Sequence, residues 1–249
     1  TERDLLQLND ALEKNARQLH DINYELEQYA YVVSHELQEP LRMVSSFLTL
    51  LKKNLGDRLN PKAESFLHYA VDGATRMRKI VYDLLDYSKI GHSHESLENV
   101  DLNVVLEDVE NLLRKQITDA KAVIESEKLP IVQAHPALIS LVFQNLISNS
   151  IKFQKLNQSP YIRISARELD FDWEIGIIDN GIGIEPEHHE KIFELLQKAH
   201  PELKTQGSGI GLSITKKAIE TMNGQIWVES EKDNGCAVYF TISKIQNNP

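Results

Sequence analysis

Four short segments of this sequence combine residue types and spacings that chemistry could use. The first, Ser34 to Arg42 (SHELQEPLR), sets His35 beside Glu36 and five residues before Pro40. Proline removes a backbone donor and presses its ring on the carbonyl of residue i−4, here Glu36, so a helix through this segment is expected to bend just after the histidine. A bend costs stability, and its placement against an exposed imidazole singles out His35 among the nine histidines. The second, Asn145 to Phe153 (NLISNSIKF), spaces Asn145 and Asn149 four apart, which puts both amides on one helix face with Lys152 close by. Amide oxygens suit a hard cation such as Mg2+, and an ammonium meets phosphate oxygens. The third, Asp179 to Ile184 (DNGIGI), ends an apolar strand on a carboxylate able to accept from an amino group such as that of adenine. The fourth, Gly207 to Leu212 (GSGIGL), runs a glycine-rich turn into a helix, whose first amides and dipole favour phosphate. It has neither the Lys-Ser/Thr ending of a Walker loop nor the strand-helix-strand setting of a dinucleotide fingerprint.

These segments need elements to hold them. From Leu5 the apolar positions Leu8, Leu12, Leu19, Ile22, Leu26, Tyr29 and Val33 alternate steps of three and four, with Asn15 as the one polar member. That pattern predicts a two-stranded coiled-coil seam, or else an amphipathic helix packed on its own domain. A buried Asn in such a seam fixes register and favours a dimer. Val33, Leu37 and Leu41 then step by four twice, breaking the alternation beside His35. The helix continues to about residue 55, turns through NLGDRLNP (54–61), and is followed by a second helix over about 62–90. Two such helices form an antiparallel hairpin, and two hairpins a four-helix bundle. A polar linker, Gly91 to Ser96, marks the boundary. Beyond it we expect a helix near 103–118, short strands near 122–126 and 131–134, and a helix at 136–153. Strands at 161–169 and 173–179, helices near 187–197 and 210–223, and a final hairpin at 226–230 and 236–242 follow. Mixed strands and helices with hairpins predict an α+β sandwich, helices on one face of a largely antiparallel sheet.

Composition removes several classes. A formal net charge of −10 disfavours nucleic acid as a partner, because phosphate backbones need a positive surface. The lone Cys236 permits no intramolecular disulfide and suits a reducing, cytoplasmic compartment. No apolar run is long enough to cross a bilayer. The chain starts in mid-helix pattern at Thr1 and reads as part of a longer protein. The pairs His92/His94 and His188/His189 are weak candidates for metal ligands, because no Cys or carboxylate completes a set.

None of the four segments is decisive alone; their order is. His-Glu…Pro-Leu, then Asn…Asn-Ser-Ile-Lys-Phe, Asp-x-Gly-x-Gly, Ile-Phe-Glu and Gly-Ser-Gly-Ile-Gly-Leu resemble the H, N, G1, F and G2 boxes of bacterial sensor histidine kinases. The resemblance spans about Tyr29 to Ser243, and the wording around the boxes is most similar to phytochrome-like kinases and related hybrid sensors. It implies a coiled-coil signalling helix (1–28), a dimerisation and phosphotransfer domain (29–92), and an ATP-binding domain (93–249) with the Bergerat-type sandwich of gyrase, Hsp90 and MutL. It also implies that His35 is the phosphoacceptor and Glu36 its general base or orienting acceptor. Asn149 becomes the main Mg2+ ligand with Asn145 beside it, while Lys152 and Phe153 line the nucleotide. Asp179 reads the adenine amino group, and Gly181, Gly183 and Ile184 shape its pocket. Ile192 to Glu194 begin an ATP lid running to about Gln206, and Lys198 stands where many relatives carry Arg near the γ-phosphate. Gly207, Ser208, Gly209, Ile210, Gly211 and Leu212 hold the phosphates.

The implied reaction is in-line attack of a neutral His35 nitrogen on the γ-phosphoryl group of Mg-ATP, dominated by positioning and charge neutralisation. The phosphoryl group then passes to an Asp of a response-regulator receiver domain. A homodimer and an upstream sensor domain are the other partners implied. Many relatives also dephosphorylate their regulator with a Thr or Asn four residues after the histidine; here that residue is Glu39. Two rivals share part of the pattern. A gyrase- or Hsp90-like clamp has no need of His35 and Pro40, and a pseudokinase scaffold has no need of Asn149, Asp179 and both glycine turns.

Overall fold

The computed structural model describes residues 2–55, 60–90, 97–197, 199 and 208–244, with the backbone alone for 2–13, 16, 19–31 and 34. The chain folds as two compact units, Thr1–Lys89 and Ile90–Pro249. The boundary expected at 92/93 lies outside the described residues, as do Lys198 and Gly207. Among the described residues no helix is long and apolar enough to cross a membrane.

The first unit is a helical hairpin. Helix α1 spans Glu2–Leu55 and runs unbroken through Pro40. Helix α2 spans Pro61–Lys89. Asn60 starts α2 by accepting the Ala63 amide on its side chain at 2.8 Å, with Pro61 at the first helical position, where its missing donor costs nothing. Leu67, Ala74 and Val81 recur every seven residues along α2 and are buried. Leu41, Leu48 and Leu55 repeat the same spacing on α1 and are half-buried. That single stripe leaves many large apolar side chains outside: Leu37, Val44, Phe47 and Leu51 on α1, Phe66, Tyr69, Met77 and Tyr82 on α2. Phe47 is 68% exposed and Phe66 61%, more apolar surface than a finished bundle shows to water.

The second unit is the expected sandwich. Strand β1 (Glu98–Asp101) leads into helix α3 (Leu102–Ala120), then come β2 (Val123–Ser126), β3 (Ile131–Ala134) and helix α4 (Pro136–Lys152). Strands β4 (Tyr161–Glu168) and β5 (Asp172–Asp179), helix α5 (Gly211–Thr221), and strands β6 (Ile226–Ser230) and β7 (Cys236–Ser243) complete it. The main sheet has the order β2-β4-β5-β7-β6, and β1 pairs with β3 in a small second sheet. Within the main sheet β2 and β4 run parallel, and the other pairs are antiparallel. Ile162 and Ile164 of β4, Ile175 and Ile177 of β5, and Phe240 and Ile242 of β7 face inward and are fully buried. Against them lies α4, with Ile139, Val142, Phe143, Leu146 and Ile147 fully or almost fully buried. Phe143 and Phe240 meet edge to face with ring centres 6.1 Å apart. Asp101 caps α3 by accepting the Asn103 amide at 2.9 Å, and the Asn103 side chain bonds both the amide and the carbonyl of Leu129.

Two expectations need correcting. The helix near 187–197 is two single turns of 3-10 helix, Pro186–His188 and Lys191–Phe193. Their bonds run from residue i+3 to i, as from His188 to Glu185 (2.9 Å) and from Glu194 to Lys191 (3.0 Å). A left-handed Leu196 (φ 64°) then stops any continuation. Strand β1 was not expected, because Glu-Asn-Val-Asp has little strand propensity; its pairing with β3, Val100 opposite Val132, creates it.

Candidate functional site

Most of the predicted nucleotide residues belong to the second unit, and the fold brings many of them together. Helix α4 carries Asn145 and Asn149, both half-buried and one turn apart. The Asn145 side chain donates to the Gly211 carbonyl at 3.4 Å, tying α4 to the first turn of α5. At the end of α4, the Lys152 Nζ lies 4.4 Å from the centre of the Phe153 ring. The Phe153 carbonyl accepts the Ile182 amide at 3.0 Å, so α4 ends directly against the turn that follows β5.

Asp179 is the last residue of β5. Its Oδ1 accepts the amides of Gly181 (2.8 Å) and Cys236 (3.2 Å). Burial pushes the carboxyl above the usual carboxylate range, and the Gly181 amide foremost opposes that rise. A carboxylate has about four acceptor sites, so the two amides and the neighbouring Ser150 hydroxyl still leave capacity for a ligand amino group. Next to it, the Cys236 thiol is pushed up to about 12 by burial first and by the Asp179 charge second, so it stays protonated at neutral pH.

The turn 180–184 is pressed onto the β6–β7 hairpin. Gly183 has φ 69°, and a Cβ there would fall 1.9 Å from the Glu231 carbonyl oxygen. Gly235 has φ 84°, and a Cβ on it would fall 2.1 Å from the carbonyl oxygen of Asp179. Only glycine fits either place. Gly235 and the Cys236 amide were missed from sequence; the one available signal was the Asp-Asn-Gly turn after IWVES.

Helix α5 begins at Gly211 without a side-chain cap. Buried Ser208 accepts the Ile210 amide on its hydroxyl at 3.3 Å, Gly209 takes φ 77° beside the Gln197 carbonyl, and Leu212 is half-buried. The first-turn amides of α5 thus open at the side of the unit where Asn145 stands.

The first unit holds the other candidates. His35 and Glu36 are both exposed on α1, with His35 Nδ1 4.0 Å from a Glu36 carboxylate oxygen. Glu39 lies 3.8 Å from Arg42. One metal expectation changes: the fold does supply carboxylates to His188, gathering Glu185, Glu187 and His188 with ligand atoms within 4.8 Å. Lys232 Nζ already sits 2.6 Å from Glu185, however, so a lysine supplies positive charge there.

A five-stranded sheet backed by α4 and α5, with a half-buried carboxylate ending a central strand and glycine turns leading to a helix N-terminus, defines an ATPase domain of the Bergerat class. The comparisons agree. Residues 134–246 match the family described as histidine kinase-, DNA gyrase B-, and HSP90-like ATPase, and residues 25–93 match the His Kinase A (phospho-acceptor) domain. The chain belongs to the sensor histidine kinases. It is 38% identical over 96% of its length to cyanobacterial phytochrome A of Nostoc sp., and 37% identical over 96% to the phytochrome-like protein Cph1 of Synechocystis sp.. It spans about a third of each, 31% and 32% of their lengths. Full-length ShkA, solved in complex with AMPPNP, shares the fold over 86% of this chain and 45% of its own, at a TM-score of 0.64 and 22% identity.

Proposed function

We propose that this chain is the catalytic region of a two-component sensor kinase that uses ATP to phosphorylate His35 and passes the phosphoryl group to an aspartate of a response-regulator receiver domain. The observation that carries this reading is a pair in one chain: an exposed His35 with a carboxylate beside it on a long helix, and a Bergerat-class domain whose half-buried Asp179 keeps acceptor capacity. Residues 1–28 act as a coiled-coil stem, 29–92 as the dimerisation and phosphotransfer domain, and 93–249 as the ATP-binding domain. The apolar side chains left outside the hairpin support a homodimer, in which two hairpins bury them as a four-helix bundle. An upstream sensor domain and a cytoplasmic setting complete the proposal.

In this mechanism Asp179 accepts the adenine amino group, and Gly181, Gly183 and Ile184 form the wall around the base. Lys152 and Phe153 flank the nucleotide. The first-turn amides of α5, with Ser208, Gly209, Ile210, Gly211 and Leu212, neutralise phosphate charge. Gly207 and Lys198 are assigned to the same triphosphate by their place in the motifs. Asn149, with Asn145 beside it, offers amide oxygens one helical turn apart, a donor set that fits Mg2+. When bound, that ion adds charge neutralisation on the phosphate oxygens. Glu36 accepts from one ring nitrogen of His35, fixing the tautomer that leaves the other as the nucleophile and stabilising the cationic ring as the bond to phosphorus forms.

The test is incubation of the chain with ATP labelled at the γ-phosphate. Label that is lost in acid and kept in alkali is expected. Incorporation that survives acid would replace the phosphohistidine with a hydroxyl phosphoester.

A further inference from the structure

Ser230 closes β6 at the edge of the turn that follows Asp179, and no box of the sequence includes it. Its hydroxyl does two things at once: it donates to the Gly235 carbonyl at 2.7 Å and accepts the Ile184 amide at 2.8 Å. These two bonds join the last residue of the 179–184 turn to the residue that precedes Cys236. The Cys236 amide is one of the two that hold Asp179 Oδ1, and the Asp233 amide donates to the Ile182 carbonyl at 2.7 Å in the same seam. The seam is too tight for side chains, as the positions of Gly183 and Gly235 show. It is therefore held by backbone groups, and Ser230 supplies both a donor and an acceptor to it from one atom.

We infer that Ser230 is a positioning residue for base recognition: its hydroxyl fixes the β6–β7 hairpin against the 179–184 turn and so aims the Asp179 carboxylate at the purine amino group. This rests on the reading of Asp179 as the residue that contacts the base. Loss of the hydroxyl leaves the Ile184 amide and the Gly235 carbonyl without that partner in a partly buried seam. The hairpin then shifts relative to β5, and the Cys236 amide moves with it. Ser230 belongs to the seam beside Asp179 and not to the glycine turn assigned to the phosphates, so substrate binding suffers and the chemical step does not.

The experiment compares the full chain with Ser230→Ala and Ser230→Thr, measuring autophosphorylation kinetics with ATP and with inosine triphosphate, whose base carries an oxo group in place of the amino group. The parent is expected to prefer ATP. Ser230→Ala should raise KM for ATP about tenfold with a maximal rate within about twofold, because one doubly used hydrogen-bonding group is lost. The preference for ATP over inosine triphosphate should shrink with it, and Ser230→Thr should restore both. A lower melting temperature with an unchanged ATP preference would give Ser230 a merely structural role and overturn the inference. If Ser230→Ala does not fold, Ser230→Cys, a weaker donor and acceptor, should show an intermediate preference, and full parental preference there overturns the inference equally. A parent that uses both nucleotides alike would instead strike the base-reading role of Asp179 itself.

Discussion

Asp179 and Glu39 are two carboxylates whose surroundings set opposite demands. Asp179 is half-buried and desolvation pushes its carboxyl up, so its ionisation costs folding free energy above its folded pKa. That cost fades as pH falls through the raised value and vanishes below the ordinary carboxylate range, where folded and unfolded states are both protonated. Asp179→Asn removes the cost and keeps an oxygen for the Gly181 and Cys236 amides, but it turns an NH2 group towards the base amino group. We expect ATP affinity to fall at least about tenfold, the scale of a lost hydrogen bond to a charged group. The melting temperature of the variant relative to the parent should be more favourable at neutral pH than at about pH 4, near the unperturbed Asp value. Thermal melts across that range, with a nucleotide titration beside them, check both statements. Glu39 is exposed, on the same helix as His35 and four residues on. A carboxylate there brings negative charge towards an anionic phosphoryl group in a partly desolvated interface. Loss of label from a phosphorylated receiver should therefore be slow with the parent and faster with Glu39→Asn.

At the scale of elements, what could be read in the sequence depended on length and periodicity. Helix α4 was plain because Leu138 to Ile151 repeat an apolar face over four turns, and the same pattern put Asn145 and Asn149 together. Strands β4 and β5 were plain for their alternating isoleucines. The segment after Ile184 was misread because one buried residue, Ile192, does not separate two 3-10 turns from a helix. β1 was invisible because its pairing partner lies about thirty residues away. The site shows the same division. Each glycine turn could be recognised locally, whereas the bond from Cys236 to Asp179, 57 residues apart, depends on the register of β5 with β7. The long helix α1 yields its own prediction. Inserting one residue near Asn15 rotates the upstream part of the helix by about 100° relative to His35 and should change kinase activity, whereas inserting seven should largely restore it. Activity measured for a series of insertion lengths checks this, and a flat series would make the stem passive.

For the whole molecule, a hairpin with an incomplete core and an ATPase domain with a complete one assign different tasks to the two units. The exposed apolar surface around Phe47 and Phe66 is the part that association should bury. Phe47→Glu is expected to shift the chain from dimer to monomer in sedimentation while leaving nucleotide binding close to parental, since Phe47 belongs to the other unit. The central claim is narrower, that His35 is where the γ-phosphoryl group goes. It is tested most directly by incubating the parent and His35→Gln with γ-labelled ATP and measuring acid-labile label on the protein alongside nucleotide affinity. The account predicts parental affinity in His35→Gln with acid-labile label reduced to background. Acid-labile label retained on His35→Gln would contradict it and place the acceptor elsewhere.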